Sequence, residues 1–229
     1  MAMTPCGSQS RSTTTPQCAR ALVEAAGLNA AGWEARQRAR DVANVERFGM
    51  SPKRFPTSCV EALEELGHNS AAAIPWDLRD AVWNAAESVF ARAAPLVDGA
   101  RAVLAELHQA YALALVTKGD ADVQAKRIAD SRLRDYFAVI DVVPHKDADT
   151  FRHVRATLSA EEIPCWSVGN SLSSDVLPAI RAGLGAVWVD AHVWEYEQRA
   201  EAVPEGVLIA SSLREIPSLL RRTRTANAN

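Results

Sequence analysis

The amino-acid sequence predicts an α/β protein with a Rossmann-like parallel sheet and a helical unit inserted near the N-terminus. Its 229 residues, 48% of them apolar, are enough for one core with a modest insertion. The first half repeats apolar residues at three- and four-residue spacing, which is typical of helices. After Pro95, short apolar runs alternate with helical stretches, which is typical of a parallel sheet covered on both faces.

Residues 1–16, MAMTPCGSQSRSTTTP, predict a disordered or atypical N-terminal arm. They are rich in Ser, Thr and Pro and show no apolar periodicity. We therefore place the start of folded structure near Gln17.

Residues 17–94 predict an all-helical unit. Four stretches have helical periodicity: CARALVEAAGL, WEARQRARDVANVERFG, SCVEALEELG and LRDAVWNAAESVFARAA. Thr57 or Ser58 is a candidate N-cap for the third stretch, and Gly49 and Gly67 are candidate helix ends.

Residues 95–229 predict the sheet domain. In chain order, we expect helix VDGARAVLAELHQA, strand YALALVT, helix ADVQAKRIADS, strand AVIDVV, helix TFRHVRATL, strand PCWSVG, helix SDVLPAIRAG, strands AVWVD and GVLIA, and helix SLREIPSLLRR. In such sheets, ligands bind at the carboxyl ends of the strands. The residues that follow each strand are therefore the candidates for function.

Composition excludes several classes of protein. A net charge of −3 argues against nucleic acid as a partner. No apolar stretch reaches the ~18 residues that a membrane span needs, and no signal-peptide core is visible. The cysteines have no CxxC spacing, which argues against a disulfide framework or a zinc site and fits a cytoplasmic location: Cys6, Cys18, Cys59 and Cys165.

The first candidate segment, Thr117-Lys118-Gly119-Asp120, follows strand YALALVT. A threonine hydroxyl with the backbone N–H groups after it can hold a phosphoryl oxygen. Alternatively, Thr117 only ends a strand and Asp120 only caps the next helix.

The second segment, Pro144-His145-Lys146-Asp147, follows strand AVIDVV, with a helix expected to begin near Asp149 or Thr150. The Lys146 ammonium can neutralise charge on a transferred phosphoryl group. The alternative is an ordinary solvated lysine. We expect His145 to be a surface neighbour.

The third segment, Gly169-Asn170-Ser171-Leu172-Ser173-Ser174-Asp175, follows strand PCWSVG. Gly169 permits a tight turn, and the oxygens of Asn170 and Asp175 suit a hard cation such as magnesium. Alternatively, these residues only cap a helix and complement its dipole.

In this order along one sheet, TKGD, HKDADTF and GNSLSSD resemble the second, third and fourth motifs of the haloacid dehalogenase-like (HAD) hydrolases. The resemblance implies that Thr117 and Lys146 are catalytic residues, and that Thr117, Lys118 and Asn170 bind substrate. Asp175 and Asn170 would hold Mg²⁺, with Asn170 standing where the family has an acid. The resemblance also implies that the helical unit is a cap.

The first motif of that family, an apolar strand ending in DxDxT, has no counterpart here. The chain has no Asp before Asp41, which lies in a helical pattern. Both the nucleophile and part of the metal site would be absent, so we expect weak magnesium binding and no hydrolysis. A central strand would be absent as well, between the strands bearing Thr117 and Asn170. We expect a marginally stable or self-associating chain unless another segment fills that gap.

Our functional hypothesis is a cytoplasmic HAD-like phosphohydrolase scaffold, related to magnesium-dependent phosphatases of small phosphorylated metabolites and inactive without the nucleophile. The alternative is a pseudoenzyme that binds a phosphate ligand or a protein. Haloacid dehalogenation is a weaker alternative because it needs the same Asp. Residues 1–16 are not expected to be the ancestral N-terminus. Two explanations fit the missing motif: genuine loss, or a start-site or reading-frame artefact.

Overall fold

The computed structural model describes residues 15–69, 73–190 and 202–226. The chain divides into two compact units, which meet in sequence at Ala93 and Ala94. The predicted N-terminal arm lies outside the described residues except at its end, where the first helix begins at Thr15. In the described residues, no helix is both long and apolar enough to cross a membrane.

The first unit is helical throughout its described secondary structure. Its helices are α1 (Thr15–Ala25), α2 (Ala30–Ala43), α3 (Val45–Phe48), α4 (Arg54–Asn69) and α5 (Trp76–Ala91). Gly49 caps the end of α3 with φ 56°, as expected. The expected N-cap at Thr57 or Ser58 is wrong, because α4 begins at Arg54 and both hydroxyls donate to carbonyls one turn back. Gly67 lies inside α4 and does not end it.

The core of the helical unit is apolar, with one buried ion pair at its edge. Trp33 is almost fully buried and donates its indole N–H to the Cys59 carbonyl at 3.0 Å. Burial raises the pKa of the Cys59 thiol, and the nearby Asp41 carboxylate raises it further. Asp41 itself accepts from Arg54, with Nε and Oδ1 3.0 Å apart. Asp41 is therefore a structural residue of helix α2.

The second unit contains parallel strands and helices. Its elements are α6 (Ala100–His108), β1 (Ala114–Lys118), α7 (Ala121–Ser131), β2 (Val139–Val143), α8 (Ala148–Thr157), β3 (Trp166–Gly169), a π-helical turn (Leu172–Val176), α9 (Leu177–Arg181), β4 (Gly185–Val189), β5 (Leu208–Ala210) and α10 (Ile216–Ala226). All strand pairs among the described residues are parallel.

The strands form two hydrogen-bonded ladders, β1–β2 and β3–β4–β5. In residues 15–69, 73–190 and 202–226, no strand joins β1 to β3. This is the position at which the sequence resemblance places a further strand. Of the segment expected to differ from the family, residues 1–16, residues 1–14 lie outside the described structure.

Helices cover both faces of the strands. On one face, Leu104 of α6 and Ile216 of α10 pack in one buried cluster with Leu115 of β1 and Val187 of β4. On the other face, residues of β1 pack against Val154 of α8. A parallel α/β fold was predicted, and the structure confirms it.

Candidate functional site

The three segments singled out in the sequence lie at the carboxyl ends of β1, β2 and β3. Strand β1 ends at Lys118, β2 ends at Val143, and β3 ends at Gly169. Parallel strands place these ends at one edge, so the side chains that follow them can meet.

The side chains of Lys146 and Asp175 do meet. Lys146 Nζ donates to Asp175 Oδ1 at 2.7 Å, and the two side chains are only 4% and 1% exposed. Two charges so deeply buried are tolerated only when each is paired and hydrogen-bonded. Lys146 is therefore not an ordinary solvated lysine.

The turn after β3 holds the Asp175 carboxylate on its other side. The Ser171 backbone N–H donates to Asp175 Oδ2 at 3.1 Å, and the Ser167 hydroxyl donates to the Asp175 carbonyl at 2.9 Å. Gly169 makes room for this arrangement, since a Cβ at position 169 would lie 2.2 Å from Asp175 Oδ2. Gly169 is thus required for the close approach of the carboxylate to the strand.

A second lysine reaches the same turn. Lys118 Nζ donates to the Ser174 hydroxyl at 2.8 Å, and the Ser174 N–H donates to the Ser171 hydroxyl at 3.1 Å. The contacts described here bring together two ammonium groups, Lys118 and Lys146, and one carboxylate, Asp175. Two ammonium groups at the ends of the strands suit an anionic ligand.

Thr117 is buried at the end of β1, but its hydroxyl is engaged. Thr117 Oγ1 donates to Gln124 Oε1 of α7 at 3.3 Å. The Gly119 N–H, expected to be available to a phosphoryl oxygen, donates instead to the Val143 carbonyl at 3.2 Å. Asp120 caps α7 by accepting from the Val123 N–H. The two structural roles given above as alternatives are therefore both present: Thr117 lies at the end of β1, and Asp120 caps α7.

Asn170 is positioned through its backbone. Its carbonyl accepts from the Trp188 indole N–H of β4 at 3.0 Å. This bond ties the start of the turn to the neighbouring strand.

The segment after β2 is ordered by a helix cap. Asp147 caps α8, which begins at Ala148, one or two residues earlier than expected. The backbone N–H and the hydroxyl of Thr150 donate to the Asp147 carboxylate and lower its pKa below the usual 3.8. His145 is exposed, as expected.

The described side chains do not fit a strong magnesium site. Mg²⁺ prefers several oxygen ligands in octahedral geometry. In the described part of the chain, no group of three or more His, Cys, Asp or Glu side chains is placed to hold a metal ion. One Asp175 oxygen accepts from Lys146 and the other from Ser171. Neither Asp175 oxygen is therefore left without a protein donor in the described structure.

Some residues of the site were not predicted from sequence. Ser174 binds Lys118, Trp188 binds the Asn170 carbonyl, and Gln124 binds Thr117. Only Gln124 carries a recognisable signal, because it is a polar residue one turn before Ile128 on the inward side of α7. The contacts of Ser174 and Trp188 join residues that are far apart in the sequence, so local sequence patterns do not predict them.

A family model of haloacid dehalogenase-like hydrolases matches residues 12–183, which is most of the chain. The chain belongs to the haloacid dehalogenase-like hydrolase family. This match spans α1 to α9 and includes all three segments of the site.

Among curated relatives of this HAD-like chain are phosphatases. It is 28% identical over 132 residues to N-acylneuraminate-9-phosphatase of Mus musculus, covering 55% of this chain and 52% of that protein. It is 31% identical over 164 residues to phosphoserine phosphatase of Thermus thermophilus, covering 68% of this chain and 61% of that protein. The chain thus spans about half the length of the mouse relative.

Solved HAD structures share the fold. A haloacid dehalogenase-like hydrolase from Xanthomonas campestris has a TM-score of 0.66 at 23% identity and covers 89% of both chains. The putative HAD-hydrolase YfnB from Bacillus subtilis, solved with bound magnesium, has a TM-score of 0.58 at 22% identity and covers 90% of this chain and 91% of that one. At these identities, the likeness supports the fold alone.

Proposed function

We propose that this HAD-like chain is a phosphatase scaffold that binds the phosphoryl group of a small phosphorylated metabolite without hydrolysing it. Lys146 and Lys118 supply the positive charge, and Thr117 contributes its hydroxyl. The likeness to curated phosphatases supports the choice of phosphate esters as ligands.

The buried ion pair carries this proposal. The Lys146 side chain is only 4% exposed, and its Nζ lies 2.7 Å from Asp175 Oδ1. Burying an ammonium group at the carboxyl end of β2 costs desolvation free energy, which indicates a role beyond stability. Lys118 adds a second ammonium through its bond to Ser174. A phosphate dianion matches two such donors better than a neutral ligand does.

Hydrolysis by this family of mechanisms needs a carboxylate that attacks phosphorus. Asp175 is engaged on both oxygens, and Asp41 is paired with Arg54 in helix α2. Asp120 and Asp147 are N-caps. None of these four carboxylates is available as a nucleophile, which supports binding without turnover. The same argument weighs against carbon–halogen hydrolysis.

The test is calorimetric titration of the full chain with inorganic phosphate and phosphoserine. We expect Lys146→Met and Lys118→Met each to weaken binding at least several-fold, because each removes a charge-assisted hydrogen bond. Lys126→Met is the matched control, since Lys126 forms an exposed pair with Asp130 on α7 and should leave binding unchanged. Binding that is indifferent to both site variants would overturn the proposal.

Turnover is tested separately with an aryl phosphate and magnesium in the buffer. We expect no hydrolysis above a protein-free control. Hydrolysis that Lys146→Ala abolishes would show that the chain is a working phosphatase and would refute the non-catalytic part of the proposal.

A further inference from the structure

The side chain of Gln124 forms a hydrogen bond with the Thr117 hydroxyl. Gln124 lies in the first turn of α7, and its Oε1 is 3.3 Å from Thr117 Oγ1. Its Nε2 faces the Lys118 carbonyl at a longer 3.5 Å. A carbonyl oxygen only accepts, so the NH₂ group must face Lys118 and the amide oxygen must face Thr117. The Thr117 hydroxyl is therefore the donor in this pair.

Both residues of the pair are buried. Thr117 and Gln124 are only 6% and 8% exposed. They line a small cavity of about 60 Å³ whose wall is mostly apolar and includes Leu115 and Phe137.

Gly119 allows Gln124 to come this close. A Cβ at position 119 would lie 2.7 Å from Gln124 Nε2, and the glycine φ is +149°. A larger residue there would push the amide away from both Thr117 and the Lys118 carbonyl. The position of Gln124 is thus built into the turn between β1 and α7.

Thr117 has one proton to donate, and a phosphoryl oxygen without protons can only accept it. If the hydroxyl turned to a bound phosphoryl group, Gln124 Oε1 would lose its partner while buried. Leaving a buried acceptor unsatisfied is unfavourable, and that loss would be subtracted from the binding free energy of the ligand.

We infer that Gln124 is a positioning residue that holds the Thr117 proton away from the anion site and thereby weakens phosphate binding. This inference rests on the proposed function, in which Thr117 contributes to phosphoryl binding. Gln124 and the ligand then compete for the Thr117 hydroxyl proton, and this competition lowers the affinity of the site for phosphate.

The test is a double-mutant cycle in the full chain, with inorganic phosphate as the ligand and calorimetry as the readout. Gln124→Met keeps length and removes the acceptor, and Thr117→Val keeps shape and removes the proton. We expect Gln124→Met to tighten phosphate binding about two- to tenfold, the worth of one net hydrogen bond. In the Thr117→Val background, the same change should have no effect.

A further variant separates this role from a merely structural one. Gln124→Glu restores an acceptor for the Thr117 hydroxyl, so it should not tighten binding. A structural role predicts weaker binding for every variant at position 124, whereas our inference predicts a gain for Gln124→Met alone. Melting curves check folding, and Gln124→Leu replaces the Met variant if that variant does not fold.

The outcomes distinguish the two claims. Suppose that Lys146→Met weakens phosphate binding, but Gln124→Met does not tighten it. The inference about Gln124 is then wrong and the proposed function stands. The same conclusion follows if Gln124→Met tightens binding by the same factor with and without Thr117→Val. If phosphate binds to none of the variants, or binds without regard to Lys146, both claims fail.

Discussion

Asp175 is held by contacts that reach it from three directions. Lys146 binds one carboxylate oxygen, the Ser171 N–H binds the other, and the Ser167 hydroxyl binds the carbonyl. Gly169 supplies the space. The Asp175 carboxylate both pairs with the Lys146 ammonium and binds the backbone of the turn, so its removal should lower stability as well as ligand binding.

We predict that Asp175→Asn lowers the free energy of unfolding by about 3 kcal/mol or more, because it leaves the buried Lys146 ammonium without its counter-charge. Urea unfolding measures the change. The matched control is Asp130→Asn, which breaks the exposed Lys126–Asp130 pair and should lower stability by about 1 kcal/mol or less. Equal effects of the two substitutions would contradict the assignment of Lys146–Asp175 as a buried pair.

Helix α8 illustrates how a single cap organises an element of the site. Asp147 accepts from the N–H of Thr150 and also from its hydroxyl at 3.0 Å. Both donors stabilise the ionised carboxylate, which is why the pKa of Asp147 lies below 3.8. A carboxyl whose pKa is lowered on folding stabilises the protein above its unfolded-state pKa. That stabilisation is lost as the pH falls through the folded-state pKa.

We predict that Thr150→Val raises the pKa of Asp147 part of the way back toward 3.8, because only the backbone donors remain. Carboxyl NMR titration measures the pKa. Below pH 3.8, the unfolding free energy of the variant should also depend less steeply on pH than that of the original chain. Thr157→Val is the control, since Thr157 binds the His153 carbonyl at the other end of α8. An unchanged Asp147 pKa in Thr150→Val would refute the role of the hydroxyl.

The elements themselves were largely readable from the sequence where local periodicity decides them. The stretch ADVQAKRIADS forms α7 over the same residues, Ala121–Ser131. The sequence does not predict that α4 begins at Arg54. Pro56 disfavours the interior of a helix but is tolerated in this first turn, and Arg54 is held by an ion pair with Asp41 that local periodicity does not reveal. The π-helical turn at Leu172–Val176 was also missed, since it depends on how Asp175 packs beneath Gly169.

The site was partly predictable for the same reason. Motif order along the strands identified Lys146 and Asp175, and the structure brings them together. It does not follow from sequence that the Thr117 hydroxyl turns to Gln124, because that contact depends on the approach of α7 to β1. The role of the helical unit as a cap stays a prediction.

On the scale of the whole molecule, the separation of the sheet into two ladders is the feature that most affects stability. The register of β3 on β4, with the Gly185 N–H donating to the Cys165 carbonyl, directs the backbone groups of Ser167 and Gly169 toward β4. Those of Trp166 and Val168 point the other way. In the described part of the chain, no strand pairs with that edge of β3.

We predict that the amides of Trp166 and Val168 exchange with solvent faster than those of Ser167 and Gly169, because only the latter face a described partner strand. Residue-resolved hydrogen exchange measures this at low protein concentration. Exchange that slows as the concentration rises would indicate self-association through the edge. Equal protection of all four amides in a monomer, with a sharp cooperative melt, would show that another segment of the chain pairs with β3.

The bond from the Trp188 indole to the Asn170 carbonyl gives the site a built-in optical signal. Indole emission is sensitive to hydrogen bonding and to polarity, and this indole is attached to the first residue of the turn that carries Asp175. In a variant that keeps Trp188 and replaces the other tryptophans, any ligand that rearranges the turn would shift the emission spectrum. Occupancy of the site could then be followed in real time without a label or a turnover assay.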